Sequence, residues 1–162
     1  MLDEIKKQFE LEGADPGQYS PLSLAFIGDS IYGAVVKSVV VLEGNCPANA
    51  LDRKAVKYVK AVSQAKAADY MIENGIFSEE EMAIYKRGRN AKSPTTAKNA
   101  PVGDYRKATG LEAVIGWLYL RGEMERVVEL IKIALITCGW LQGCHKASSA
   151  DRHNSSKEDI TK

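Results

Sequence analysis

The chain has 162 residues, a length that suits one domain and can bury a sizeable core. Its 22 basic and 21 acidic side chains leave a net charge of +1, so the overall balance selects no partner and any electrostatic footprint must come from local clustering. Hydrophobic content of 45% and charged content of 27% are those of an ordinary soluble globular protein. Cys46, Cys138 and Cys144 are odd in number and irregularly spaced, which argues against a disulfide framework and for a reducing compartment. The opening MLDEIKKQFELEG is charged and has no apolar leader core, so the expectation is a cytoplasmic, one-domain protein.

In chain order, Leu2, Ile5, Phe9 and Glu12 recur at helical spacing, and Gly13 stops a short amphipathic lead-in. Asp15, Pro16 and Gly17 signal a turn. Ser20 then reads as an N-cap with Pro21 at the first helical position, where a missing N–H costs nothing. The apolar segment 22–42 (LSLAFIGDSIYGAVVKSVVVL) follows and ends at Glu43, Gly44 and Asn45. It is long enough to span a bilayer, but Asp29, Lys37 and three serines within it make that the poorer explanation.

Residues 49–74 read as a helix with a break near Ser63, its apolar face formed by Leu51, Ala55, Tyr58, Val59 and Val62. Gly75 ends it, and Ser78 with Glu81 forms a capping box opening a short helix through Tyr85. Residues 86–101 (KRGRNAKSPTTAKNAP) carry five cations and no acid among many Gly, Asn, Ser, Thr and Pro residues, which predicts a basic, mobile loop. Helices are predicted over 105–120 and 124–141, and the polar segment 142–162 reads as a disordered tail beyond a single domain of residues 1–141. No stretch alternates with period two, so the class is all-α.

Two acids stand out. Asp29 is the lone acid of segment 22–42, and Glu112 is the only charge in LEAVIGWLYL (111–120). Burying a carboxylate is expensive unless it is paired, hydrogen-bonded or bound to a metal. Gly28 and Gly116 remove side chains beside the two acids, which lets two helices or a ligand approach closely. One or two carboxylates suffice to hold Mg²⁺, which keeps several of its waters, and such an ion can activate water for phosphodiester hydrolysis. The competing explanation is that each acid pairs with a Lys or Arg and fixes helix register.

Lys86, Arg87, Arg89, Asn90, Lys92, Thr95, Thr96 and Lys98 suit phosphate and sugar-hydroxyl contacts, and Lys54 and Lys57 on the preceding helix extend that footprint. Duplex RNA is read mainly by shape, so a basic loop beside a groove needs no aromatic platform. Against this stands the ordinary case of a charge run on a solvated surface. Cys138, Cys144 and His145 fit no zinc spacing and lack a fourth ligand.

The segment LAFIGDS (24–30) resembles the signature helix of ribonuclease III, and LEAVIGWLYL resembles that family's second acidic motif. With KRGRN (86–90), Thr95 and Thr96 between them, these forms look like Mini-ribonuclease III, the compact subfamily without a separate double-stranded-RNA-binding domain. The resemblance runs from about residue 21 to residue 135 and implies a ribonuclease III-like helical bundle. It implies that Asp29 and Glu112 are the catalytic, metal-binding acids, with Mg²⁺ as cofactor and Mn²⁺ as a substitute. It also implies a homodimer with the signature helix at its two-fold axis, whose valley cuts both strands of double-stranded RNA to leave 5′-phosphate and 3′-hydroxyl ends. The subfamily is linked to maturation of large-subunit (23S-type) ribosomal RNA precursors. Larger ribonuclease III enzymes have glutamates where this chain has Leu22 and Ala25, and an aspartate where it has Thr109, so a four-carboxylate site is not expected. The alternative carried forward is a non-catalytic all-α dimer that binds structured RNA or a ribosomal protein.

Overall fold

The computed structural model describes residues 1–92 and 102–140. Within them the chain forms helices α1 (Leu2–Gln8), α2 (Pro21–Leu42), α3 (Ala48–Val59), α4 (Ala61–Glu73), α5 (Glu79–Arg89), α6 (Val102–Leu120) and α7 (Met124–Thr137), with a 3₁₀ turn at Pro16–Gln18 and no strand. The all-α expectation holds. The predicted tail 142–162 and the loop residues Thr95, Thr96 and Lys98 lie outside the described residues.

α6 is the axis of the bundle. Eleven of its residues, from Ala108 to Tyr119 with only Glu112 passed over, are buried, as a helix apolar on all sides must be. α2, α4, α5 and α7 pack around it, while α3 bridges α2 and α4. α2 is apolar and long enough to cross a membrane by composition, yet its Leu24, Gly28, Ile31, Val36 and Val40 stripe is buried in this bundle. The start of α2 follows the sequence reading: Ser20 Oγ accepts from Ser23 N–H at 3.0 Å and Pro21 occupies the first turn.

The ends of several elements differ from the sequence reading. α1 stops at Gln8 and not at Glu12, because Leu11 N–H bonds back to Lys6 and Glu10 takes a positive φ of 53°. The break predicted near Ser63 falls at Lys60, whose extended backbone separates α3 from α4. That resets the helical phase, so Val62 is exposed and α4 buries Gln64, Ala65, Ala67, Ala68 and Met71. α7 ends at Thr137 rather than Leu141. Gly139, at φ +87°, lets Trp140 N–H reach Leu135 C=O at 2.9 Å and closes the helix.

α5 differs most. It continues past Tyr85 to Arg89, so Lys86, Arg87 and Arg89 are helical and not part of a loop. Tight packing on α6 explains this: a Cβ at Gly88 would press on Ala113 at 2.7 Å, and one at Gly110 would press on the Tyr85 ring at 2.7 Å. Its first turn is held by the predicted capping box, with Ser78 N–H donating to Glu81 Oε2 at 2.8 Å and Glu81 N–H to Ser78 Oγ at 3.1 Å. Arg126 of α7 clamps the same carboxylate at 2.8 and 2.9 Å and donates to Ile76 C=O at 2.7 Å.

Candidate active site

α2 and α6 cross with their backbones in contact. A Cβ at Gly28 would overlap the carbonyl oxygen of Glu112, and a Cβ at Gly116 would overlap that of Leu24. The two glycines therefore do what their positions beside the acids suggested: they let the helices meet and set Asp29 close to Glu112.

The two acids are not alike. Both were expected to be buried, but Asp29 is exposed and needs no compensation for lost water. Glu112 is partly buried. Burial pushes its carboxyl up to about 7, the nearby negative charge of Asp29 adds to the rise, and a side-chain hydrogen bond from Gln64 opposes it. Among the described residues neither acid is ion-paired to a Lys or Arg, which removes register-fixing ion pairs within this part of the chain as their purpose. Among the described residues no group of three or more His, Cys, Asp or Glu is placed to hold a metal ion, so the acids stand as a pair. At the positions where larger relatives were said to carry further carboxylates, Ala25 is buried and Thr109 Oγ donates to Tyr105 C=O at 3.0 Å.

The arrangement suits a hard divalent cation. A half-buried carboxylate repelled by a second one, with no cation beside it in the described structure, is relieved by a positive ion between the two. Asp29 and Glu112 would hold it.

Gln64 was missed by the sequence reading. It lies on α4, fully buried, where its Nε2 donates to Val59 C=O at 3.3 Å. The available signal was a polar residue at helical spacing with Ala68 and Met71 once the break is moved to Lys60.

Of the predicted RNA contacts, Lys86, Arg87, Arg89, Asn90 and Lys92 lie together at the C-terminal end of α5, all exposed, where cations complement the helix dipole. Arg87 is already engaged, donating to Gly17 C=O at 3.1 Å and Tyr19 C=O at 3.0 Å. Lys54 and Lys57 belong to α3. Lys54 lies 3.7 Å from the Glu43 carboxylate, and the Lys57 ammonium sits 5.3 Å from the Tyr58 ring centre. Cys138 makes a long contact to Ser63 C=O at 3.4 Å, and Cys144 and His145 lie outside the described residues.

A family model of the ribonuclease III domain matches residues 22–123, a span that includes Asp29, Gln64, the basic end of α5 and Glu112. The chain belongs to the ribonuclease III family. It is 46% identical to the Mini-ribonuclease 3 of Thermoanaerobacter sp. over 72% of this chain and 80% of that protein. It is also 46% identical to the Mini-ribonuclease 3 of Staphylococcus aureus, over 69% of this chain and 84% of that protein. A crystal structure of a Fusobacterium nucleatum protein superposes with a TM-score of 0.68 at 31% identity, covering 76% of this chain and 98% of that one. The Mini-ribonuclease III resemblance is thereby borne out, and the chain is an endoribonuclease of the ribonuclease III type. That family acts on double-stranded RNA and works with a divalent metal ion.

Proposed function

We propose that the chain is a Mg²⁺-dependent endoribonuclease that matures large-subunit (23S-type) ribosomal RNA precursors in the cytoplasm, with Mn²⁺ able to replace Mg²⁺. The observation that carries the reading is the pairing of exposed Asp29 with half-buried Glu112, unopposed by any Lys or Arg of the described residues. When bound, a divalent ion supplies a water activated for attack and positive charge for the crowded phosphorus of an in-line displacement. The chain's own part is to hold the two carboxylates at a fixed separation, which the α2–α6 backbone contact does, and to hold the duplex backbone with Lys86, Arg89, Asn90 and Lys92. Water attack with loss of the 3′ oxygen leaves 5′-phosphate and 3′-hydroxyl ends.

The working unit in this proposal is a homodimer. Phe26, 79% exposed and three residues before Asp29, is an apolar side chain that the single chain leaves uncovered. A second copy meeting α2 there would place two Asp29–Glu112 pairs around one valley and cut both strands.

The test is a gel of long duplex RNA with wild type in Mg²⁺, wild type in EDTA, and Asp29→Asn in Mg²⁺. Cutting is expected in the first lane alone. Equal cutting by wild type and Asp29→Asn would remove Asp29 from the reaction, and no cutting by wild type with Mg²⁺ or Mn²⁺ would leave only the RNA-binding dimer.

A further inference from the structure

Between α4 and α7 the described chain leaves an apolar groove open. Tyr70, Ile76, Ile133, Ile136 and Thr137 line about 510 Å³ of it. Tyr70 is 44% exposed and Ile136 48%, and Val62 beside them is 53% exposed. A contiguous apolar patch of this kind marks an interaction site, where single exposed apolar side chains do not. A second hollow continues the groove, sharing Lys66, Tyr70 and Thr137 and edged by Asp69, Glu73 and Asp104. Lys107 pairs with Asp69 at 2.7 Å, so three acids face two lysines and the edge is net negative. Such an edge repels a phosphate backbone and attracts a cationic segment. The occupant it selects is a peptide with small apolar side chains and positive charge.

The point at which the described chain stops supplies one. Trp140 follows Thr137 by three residues. Its N–H donates to Leu135 C=O at 2.9 Å and its Nε1–H to Glu43 Oε1 at 2.6 Å, which fixes the exit of the chain close to the groove. The sequence goes on with LQGCHKASSADRHNSSK (141–157), which has Lys146, Arg152 and Lys157 against the single acid Asp151. Leu141, Cys144, Ala147 and Ala150 recur in it at every third position. That spacing sets them on one side of an extended chain with three residues per turn. Such a chain advances about 3.1 Å per residue against about 1.5 Å in a helix, so about seven residues retrace the length of α7. A linker this short gives an effective concentration of millimolar order, so modest contacts are enough.

We propose that residues 141–157 fold back along α7 and dock in the α4–α7 groove, with their apolar positions on Tyr70, Ile133 and Ile136 and their cations beside Glu73 and Asp104.

The experiment places a nitroxide at Ser149→Cys in the full chain, with Cys46→Ser, Cys138→Ser and Cys144→Ala, and reads the broadening of isoleucine methyl signals by NMR. Ile76, Ile133 and Ile136 are expected to lose signal while Ile27 and Ile31 of α2 keep theirs. Raising the salt, or combining Glu73→Lys with Asp104→Lys, is expected to restore the groove signals. Broadening that spreads alike to the groove and to α2 overturns the proposal. So does broadening that disappears when the labelled chain is diluted into unlabelled copies, which would make a second copy the occupant. Broadening removed by duplex RNA in EDTA would make the groove an RNA surface and overturn it too. Groove signals that neither salt nor charge reversal restores overturn the match of cations to the acidic edge. Tyr70→Asp serves if the charge-reversed variant does not fold, and the salt series needs no variant.

Discussion

Gly28 lies against the backbone of Glu112, so closely that a methyl group on Gly28 would overlap the Glu112 carbonyl oxygen. The separation of the two acids is therefore set by main chain on main chain. Gly28→Ala or Gly116→Ala is expected to destabilise the fold by at least about 3 kcal/mol, because neither carbonyl can retreat without moving a helix. Gly103→Ala, with open space around the new Cβ, is expected to gain up to about 1 kcal/mol. Urea unfolding of the three variants checks this.

The raised proton affinity of Glu112 sets the sign of a pH dependence. Its carboxyl shifts from 4.5 to about 7 on folding, so the folded chain binds the extra proton. Its contribution is fully present below about pH 4.5 and is lost as pH rises through about 7, a fall on the order of 3 kcal/mol. Glu81 has the opposite sign: burial, the largest single influence, opposes ionisation, but the Arg126 hydrogen bonds, the Ser78 backbone N–H and the Arg126 charge together outweigh it and lower the carboxyl, so its contribution is lost only on further acidification. The metal-free protein should therefore unfold at a lower temperature at pH 7.5 than at pH 5. Glu112→Gln should flatten that slope, and Mg²⁺ should stabilise more at pH 7.5 than at pH 5. Thermal scans in EDTA and in Mg²⁺ read both.

Arg126 and Glu81 fasten α7 to the start of α5, with the Glu81 side chain only 5% exposed. Arg126→Ala strands a buried carboxylate and is expected to cost about 3–5 kcal/mol. The double variant Arg126→Leu with Glu81→Leu should recover part of that loss, a result that equilibrium unfolding would show.

The cations of α5 should separate in RNA binding. Arg89→Ala is expected to weaken duplex binding uniformly across sequences and to lower the salt slope by about 1. Arg87→Ala should lower stability as well, since two backbone carbonyls lose their donor. Filter binding across a salt series, paired with melting of each variant, distinguishes a phosphate contact from an internal tie.

Phe26→Arg should convert the proposed dimer to monomer in sedimentation without lowering the melting temperature of the single chain, since that side chain makes no part of the core. Unchanged sedimentation would place the dimer contact elsewhere.

Much of this was legible in the residues. Ser20, Pro21, Ser78 and Glu81 announce their helix starts because capping chemistry is local. The acids and their glycines were visible as interruptions of apolar runs. What was not legible depended on contacts distant in sequence. Lys86, Arg87 and Arg89 look like loop by composition, yet the helix that carries them seats its Gly88 on Ala113 and Gly110. The exposure of Asp29 and the partial burial of Glu112 follow from which side of the α2–α6 crossing faces water, which no periodicity encodes. Gln64 was lost when the α3–α4 break was placed three residues late.

Arg87 reaches from the basic end of α5 to the carbonyls of Gly17 and Tyr19, just ahead of the serine that caps α2. The strut joins the part of the molecule that would grip a duplex to the root of the helix bearing Asp29. A strand pulling on one end of this lever would tug at the other, which would tie engagement of substrate to alignment of the acid.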